Sequence, residues 1–310
     1  MGLGQIGMGY DQHLDANYVY THAKAFNLHP EFYLMAGVDQ DREKRKNFER
    51  LYRCQSYSDI KTALACHAPH IVVVAVPTEL HSKCIYEILK LCNPNVLLCE
   101  KPLSNDLPEA VNLVKLCKDR SIRFFVNYCR LSDPGVIEIK RRLDSGEISI
   151  PVKGVVWYTN GFRHNASHFV NLLEYWIGPV VDYQIIKSEP LGNSDIKIDV
   201  RVSFDKGDVF FLSGWDREFT CHYLELLCQN GRLLYGAGVE HINWCPVGGH
   251  PTIKGYTVLS DQPETIITGN NKYQFYVVDE LSCILGGKNG NICSADKALE
   301  TLSSIEKILE

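Results

Sequence analysis

No run of apolar residues in this chain is long enough to cross a bilayer. The longest, such as Ile71–Val76 (IVVVAV), fall far short of the roughly 20 residues that a membrane helix needs. Basic tracts are missing too. The 32 Lys and Arg stand against 37 Asp and Glu, a net charge of −5, which removes the electrostatic footprint of a nucleic-acid binder. Internal repeats and low-complexity segments are absent, which excludes solenoids and linker-like tracts. No Cys-x-x-Cys pair occurs among the 12 cysteines. Several, such as Cys99 in Leu97-Leu98-Cys99, stand in apolar surroundings where Cys acts as a small hydrophobe. Scattered thiols of this kind point to a reducing cytoplasm, and away from a disulfide framework or a zinc site.

What is present is ordinary for a soluble globular protein: 310 residues, 45% hydrophobic and 22% charged, enough to build two buried cores. Up to residue 122, apolar runs alternate with amphipathic stretches. Phe32–Val38 reads as a strand ending at Asp39, and residues 41–53 as a polar helix with Phe48 and Leu51 on its apolar face. Ile71–Val76 is a β-branched run suited to a strand buried on both faces. Residues 79–92 read as helix, Asn95–Cys99 as strand, and Ile122–Val126 as strand. Between the last two lies a helix over 106–118, capped by Asp106 with Pro108 in its first turn. Strands alternating with helices imply βαβ units and a Rossmann-type parallel sheet.

From residue 150 the grammar changes. Val152–Tyr158, Asp182–Ser188, Ile196–Phe204, Asp208–Ser213, Cys221–Cys228 and Gly231–Tyr235 read as strands at short spacing. Asp205-Lys206-Gly207 and Asn230-Gly231 mark tight turns between them. The expectation is an α+β domain with a large, mostly antiparallel open sheet, a helix over 165–177, and closing helices over 273–285 and 295–309. The domains fall at 1–122 and 123–310, with helix 295–309 packing back on the first.

Gly2, Gly4 and Gly7 form G-x-G-x-x-G, with Gln5 and Ile6 inside it. Such glycines let a backbone turn tightly and approach a pyrophosphate at a helix N-terminus. Asp39, at the end of the next strand, fills the place of the carboxylate that binds ribose hydroxyls. The spacing exceeds the usual ~20 residues, because the polar, aromatic stretch Tyr10–Tyr20 looks inserted between the turn and a helix around Thr21–Phe26. Taken alone the glycine pattern is equally compatible with an ordinary turn. In such a fold a central strand precedes the turn, so the expectation is that Met1 is not the native start and that strand residues belong upstream.

Three further stretches narrow the reading. They are Ala75-Val76-Pro77-Thr78-Glu79-Leu80-His81, Cys99-Glu100-Lys101-Pro102, and Asn127-Tyr128-Cys129-Arg130 with Asp133-Pro134. Together with Ser294–Leu299 they give a chain that resembles the Gfo/Idh/MocA oxidoreductases over nearly its whole length. The glutamate–lysine–proline placement after a strand is the most specific element. The resemblance implies an NAD(P)-dependent dehydrogenase or reductase. Such an enzyme passes hydride between nicotinamide and a secondary hydroxyl or keto carbon of a sugar, sugar derivative or cyclitol.

The resemblance also implies a cofactor site of Gly2, Gly4, Gln5, Ile6, Gly7, Asp39, Ala75, Pro77, Thr78, His81, Glu100 and Lys101. Lys101 and His168 fall on the family's catalytic positions, with His164 beside them. Tyr128, Arg130, Arg163 and Asn171 fall on the substrate side, and no metal is implied. A carboxylate at Asp39 repels a 2′-phosphate and favours NAD over NADP, although Arg42 softens that preference. The expected partners are a carbohydrate-type small molecule and a second copy of the chain, as a homodimer or homotetramer through the C-terminal sheet. Neither nucleic acid nor membrane is expected.

Two positions depart from the family pattern. Many members carry aspartate where this chain has His164, four before His168, and again where it has Asn171. They leave a second reading open, a dinucleotide-binding regulator or sensor without redox chemistry. The two histidines at i and i+4 are also compatible with a purely structural role.

Overall fold

The computed structural model describes residues 1–191, 195–215, 218–236 and 241–310. The chain divides into two compact units, Met1–Ser132 with Asn271–Ser303, and Asp133–Asn270 with Ser304–Glu310.

In the first unit the helices and strands alternate as the sequence implies. They are α1 (His22–Leu28), β1 (Ala36–Val38), α2 (Arg42–Tyr52), β2 (Gln55–Tyr57), α3 (Ile60–Cys66), β3 (Ile71–Val74), α4 (His81–Leu91), β4 (Val96–Cys99), α5 (Leu107–Asp119) and β5 (Arg123–Val126). Aspartates start three of these helices: the side chains of Asp41, Asp59 and Asp106 accept main-chain N–H groups of the first turn, satisfying donors that a helix start leaves unpaired.

Strands β3, β4 and β5 pair in parallel, with Val74 opposite Cys99 and Cys99 opposite Val126. All four residues of β4 are buried, as a strand between two neighbours and two helix layers must be. β1 and β2 form a separate parallel pair. β1 is only three residues long, shorter than the run Phe32–Val38, because its pairing with β2 covers only those residues. Met1 and Gly2 bridge the two patches: the Met1 amino group donates to Val73 O at 2.7 Å. Ala75 N–H donates to Met1 O, and Gly2 N–H to Val38 O, both at 2.8 Å. A cavity of about 460 Å³ lies beside this bridge, lined on one side by Met35–Val38 and on the other by Ile71–Val73.

Residues 123–126 pair with β4, so β5 lies in the first unit and the boundary comes at Asp133, not at 123 as expected. Asp133 itself starts the second unit. Its carboxylate accepts from Gly135 and Val136 N–H, beginning α6 (Pro134–Ser145), and from Gly269 N–H.

There follow β6 (Val152–Tyr158), α7 (Ser167–Ile177), β7 (Val180–Pro190), β8 (Ile196–Phe204), β9 (Gly207–Ser213), β10 (His222–Cys228), β11 (Gly231–Gly236), β12 (His241–Gly249), β13 (Thr257–Leu259) and β14 (Glu264–Ile267). They form one sheet in the order β13-β12-β11-β10-β6-β9-β8-β7, with β14 also on β12. Every pairing is antiparallel except β6 with β9. Alternation along β8 buries Ile198, Val200, Val202 and Phe204 against Phe169, Leu172, Leu173 and Trp176 of α7. On the opposite face Trp157, Phe210 and Leu227 stay exposed.

The chain then returns to the first unit through α8 (Tyr273–Leu285), whose Val277, Val278 and Leu281 share a core with Phe26, Leu98 and Phe125. The last helix, α9 (Ala295–Leu309), counts with the first unit as far as Ser303. Ile305 and Ile308 lie in the core of the second.

Candidate active site

The glycine turn has three distinct environments. Gly2 takes φ +82° and its Cα faces Ala75 O so closely that a Cβ would collide with it. A Cβ on Gly7 would strike the carbonyl oxygen of Gly2, whereas one on Gly4 would meet nothing within 4 Å. Gly7 is therefore demanded by packing within the turn and Gly2 by the close approach of Ala75 after β3, and the middle glycine stands at an open face of backbone. Gln5–Gly9 form a single π-helical turn rather than a full helix.

The inserted stretch after it is a closed loop. Buried Asp11 accepts from Tyr20 N–H, Thr21 N–H and the Thr21 hydroxyl, while Lys24 Nζ donates to the carbonyls of Asp11, Leu14 and Asp15.

Asp39 sits against this turn. One carboxylate oxygen accepts from Leu3 N–H and the other from Asp41 N–H, both at 2.8 Å. Lys44 Nζ is 3.9 Å away. A recess of about 680 Å³ beside Gly4 and Gln5 is lined by Lys44, Lys46, Asn47 and Arg50 of α2.

Three segments emerge side by side at the carboxyl ends of β3, β4 and β5, the edge where open parallel sheets bind ligands. Glu100 N–H donates to Val74 O and Asn127 N–H to Cys99 O, so Ala75, Glu100 and Asn127 leave the sheet in register. Pro77 and Thr78 begin the short turn before α4. His81 is buried, with Nδ1 3.0 Å from Pro102 O and Nε2 2.9 Å from Val76 O. Its imidazole ties two loops together and presents neither nitrogen outward.

Glu100 is likewise turned inward. Oε1 lies 2.7 Å from His22 Nε2 and accepts from Asn127 Nδ2 at 2.6 Å. Asn127 Nδ2 also donates to Gln274 Oε1 at 3.0 Å, and Gln274 Nε2 lies 3.0 Å from His22 Nδ1. Burial acts to raise the Glu100 carboxyl, but His22, through its hydrogen bond and its electrostatic pull, the hydrogen bond from Asn127 and the charge of Lys101 hold it below its usual range. Tyr128, which follows, is buried, and Arg130 is half-buried.

In the second unit, Gly161 takes φ +88° and leads into a π-helical turn, Phe162–Ala166, continuous with α7. His164 is exposed and His168 half-buried on this stretch, and Asn171 is buried one turn further on. Its start is held by Asp195, whose carboxylate accepts from Arg163, His164 and Ile196 N–H at 3.0, 3.0 and 2.8 Å. The Arg163 guanidinium forks onto both carboxylate oxygens of Glu306. It is a tie to the end of α9, not a group turned toward a ligand. No cluster of three or more His, Cys, Asp or Glu is placed to hold a metal among the described residues.

Residues 4–128 match the model of an oxidoreductase family with an NAD-binding Rossmann fold, GFO_IDH_MocA. Over this span the chain is similar to the Gfo/Idh/MocA oxidoreductases.

Inositol 2-dehydrogenase of Mycolicibacterium smegmatis is 33% identical over 100 residues, 32% of this chain and 28% of that protein. The 2,7-anhydro-N-acetylneuraminate hydratase of Escherichia coli is 24% identical over 145 residues, 47% of this chain and 36% of that one. The chain thus spans well under half the length of either relative. The solved WlbA dehydrogenase from Bordetella pertussis, in complex with NADH and UDP-GlcNAcA, is alike in fold. Its TM-score is 0.74 at 18% identity, covering 93% of this chain and 90% of that one.

The Gfo/Idh/MocA match takes in Gly4, Asp39, the first two strand-end segments and, of the third, Asn127 and Tyr128. The residues that hold Glu100 from outside those segments, His22 and Gln274, carry no motif, and no local signal marks them. Asp195 is equally silent in sequence. Its only trace is Gly161, where a Cβ would collide with the Asp195 carboxylate.

Proposed function

We propose that the chain is an NAD-dependent oxidoreductase acting on a sugar, sugar derivative or cyclitol, moving hydride between nicotinamide and a secondary hydroxyl or keto carbon. The observation that carries the reading is the open backbone at Gly4, with the Asp39 carboxylate bonded to Leu3 N–H beside it, in a span matching an NAD-binding fold. A Cβ at Gly4 would fill the space a pyrophosphate needs, and Asp39 accepts hydroxyl donors of a ribose. The nicotinamide ring, when bound, supplies the hydride acceptor. A fixed carboxylate at Asp39 disfavours a 2′-phosphate, which makes NAD the preferred form.

Lys101, as a cation, polarises the substrate oxygen. His168 takes the hydroxyl proton, a task that an imidazole performs near neutral pH without large tuning. His164 relays that proton to solvent, and Asn171 orients its neighbour by hydrogen bonding. Tyr128 and Arg130 contribute to substrate binding. The exposed face bearing Trp157, Phe210 and Leu227 is the surface for a second copy, and the working compartment is the cytoplasm.

Calorimetric titration with NADH and NADPH tests the cofactor half of this reading. NADH binding in the micromolar range with much weaker NADPH binding supports it, and binding of neither refutes it. A panel of sugars and cyclitols, followed by reduced-nicotinamide absorbance, tests the rest. Turnover abolished by Lys101→Ala and His168→Ala, with dinucleotide affinity kept, is the expected result. Dinucleotide binding with no turnover of any candidate supports a regulator or sensor instead.

A further inference from the structure

Four side chains from four segments close a ring in the first unit: His22 on α1, Glu100 after β4, Asn127 after β5 and Gln274 on α8. All are hidden, with 4%, 4% and 0% exposure for His22, Asn127 and Gln274 and 12% for the Glu100 side chain. The chemistry of one member fixes the direction of every bond.

An ionised carboxylate only accepts, so the Asn127 group 2.6 Å from Glu100 Oε1 is its NH2. That same NH2 lies 3.0 Å from Gln274, whose facing atom is therefore its oxygen. The NH2 of Gln274 then points at His22 Nδ1, 3.0 Å away, which makes Nδ1 an acceptor. The imidazole proton is left on Nε2, facing Glu100 Oε1 at 2.7 Å. The ring closes with no donor facing a donor. The second carboxylate oxygen, Oε2, accepts from the N–H of Lys101 at 3.3 Å.

We infer that this ring is a positioning device for Lys101: His22, Asn127 and Gln274 hold the Glu100 carboxylate in one orientation, and Glu100 holds the main chain from which the lysine side chain springs. The inference rests on the reading of Lys101 as a catalytic residue. Glu100 is ionised at neutral pH. Its carboxyl stays below the usual range although burial opposes this. The other titratable groups around it, Cys99 on β4 and Tyr273 on α8, are pushed up by burial first and by Glu100 itself second or later, so they remain neutral. Among the described residues, His22 and Lys101 are the titratable groups that hold its carboxyl down.

The test uses the full chain, labelled with 15N. Long-range 1H–15N spectra separate the two neutral tautomers of an imidazole from its charged form, and His22→Gln identifies the signal. In the unmodified protein His22 is expected neutral with the proton on Nε2. Gln274→Glu puts an acceptor at Nδ1 as well and is expected to turn the signal into that of the charged ring. A charged ring or an Nδ1–H tautomer in the unmodified protein overturns the ring.

The link to Lys101 is read from its rate of acylation by an N-hydroxysuccinimide ester at fixed pH, followed by peptide mass mapping. Gln274→Met is expected to raise that rate about three- to tenfold, as Glu100 loses its fixed place beside the lysine. Lys46, exposed on α2, serves as the internal control. An unchanged Lys101 rate in folded Gln274→Met overturns the positioning role. Neither readout needs turnover, so a failure of the oxidoreductase reading and a failure of the ring are told apart.

Discussion

Gly161→Ala and Asp195→Ala, made singly and together, test whether the start of the histidine-bearing helix is held as the structure has it. The Asp195 carboxylate accepts three main-chain N–H bonds, from Arg163, His164 and Ile196. It is half-buried, so water replaces part of what is lost, and removing it costs about 1–2 kcal/mol, as for a helix cap. Gly161 sits at φ +88° and ψ 150°, a region essentially confined to glycine that costs an alanine about 1–3 kcal/mol. Its new Cβ also collides with the Asp195 carboxylate, which must move and give up its bonds, adding about 1–2 kcal/mol.

The single glycine variant therefore loses about 2–5 kcal/mol, but only about 1–3 kcal/mol where Asp195 is already absent. The coupling is about 1–2 kcal/mol, and the double variant is more stable than the sum of the singles implies. Urea unfolding followed by tryptophan fluorescence measures it, because all four tryptophans, Trp157, Trp176, Trp215 and Trp244, lie in the second unit. Effects that add to within about 0.5 kcal/mol would refute the proposed approach of Asp195 to Gly161.

Three other outcomes follow from the same geometry. Gly4→Ala, whose Cβ meets nothing within 4 Å, keeps its melting temperature yet loses about tenfold or more in dinucleotide affinity by calorimetry; unchanged affinity contradicts the assignment of that face. Gly7→Ala, whose Cβ strikes Gly2 O, loses stability as well as binding, by about 1–3 kcal/mol. The Glu100 carboxyl is held below its ordinary 4.5 in the folded state, so its stabilising contribution is present above that pH and is lost as pH falls through the folded value. The acid limb of melting temperature against pH is accordingly flatter in Glu100→Gln, and parallel limbs for the two proteins count against an ionised, bonded Glu100.

The sequence by itself determined the local elements and the grammar. Val96–Cys99, an apolar run without polar alternation, is a strand buried at every residue between β3 and β5. Ile71–Val74, a run of the same kind expected to be buried on both faces, pairs in the sheet with β4 alone and is fully buried only at Val72 and Val74. Asp41, Asp59, Asp106 and Asp133 start helices because their short carboxylates reach the N–H groups of the first turn. The glycine spacing, the carboxylate at the end of β1 and the segments after β3, β4 and β5 were equally legible, since each is a pattern within a few residues.

Tertiary structure decided whatever depends on residues far apart in the chain. The boundary moved from 123 to Asp133 because pairing with β4, which no local pattern announces, claims β5. β6 and β9 run parallel inside an otherwise antiparallel sheet. Arg163 reads locally as a free cation next to the histidines, but the fold places Glu306 against it. His81 and Glu100 read as ligand groups, but their hydrogen bonds run to Val76 and Pro102 carbonyls and to His22 and Asn127. His22 and Gln274 stand 252 positions apart and meet at 3.0 Å. Side-chain hydrogen bonds reach only across a few ångströms, so their partners are chosen by chain topology, and a one-dimensional pattern holds no record of that choice.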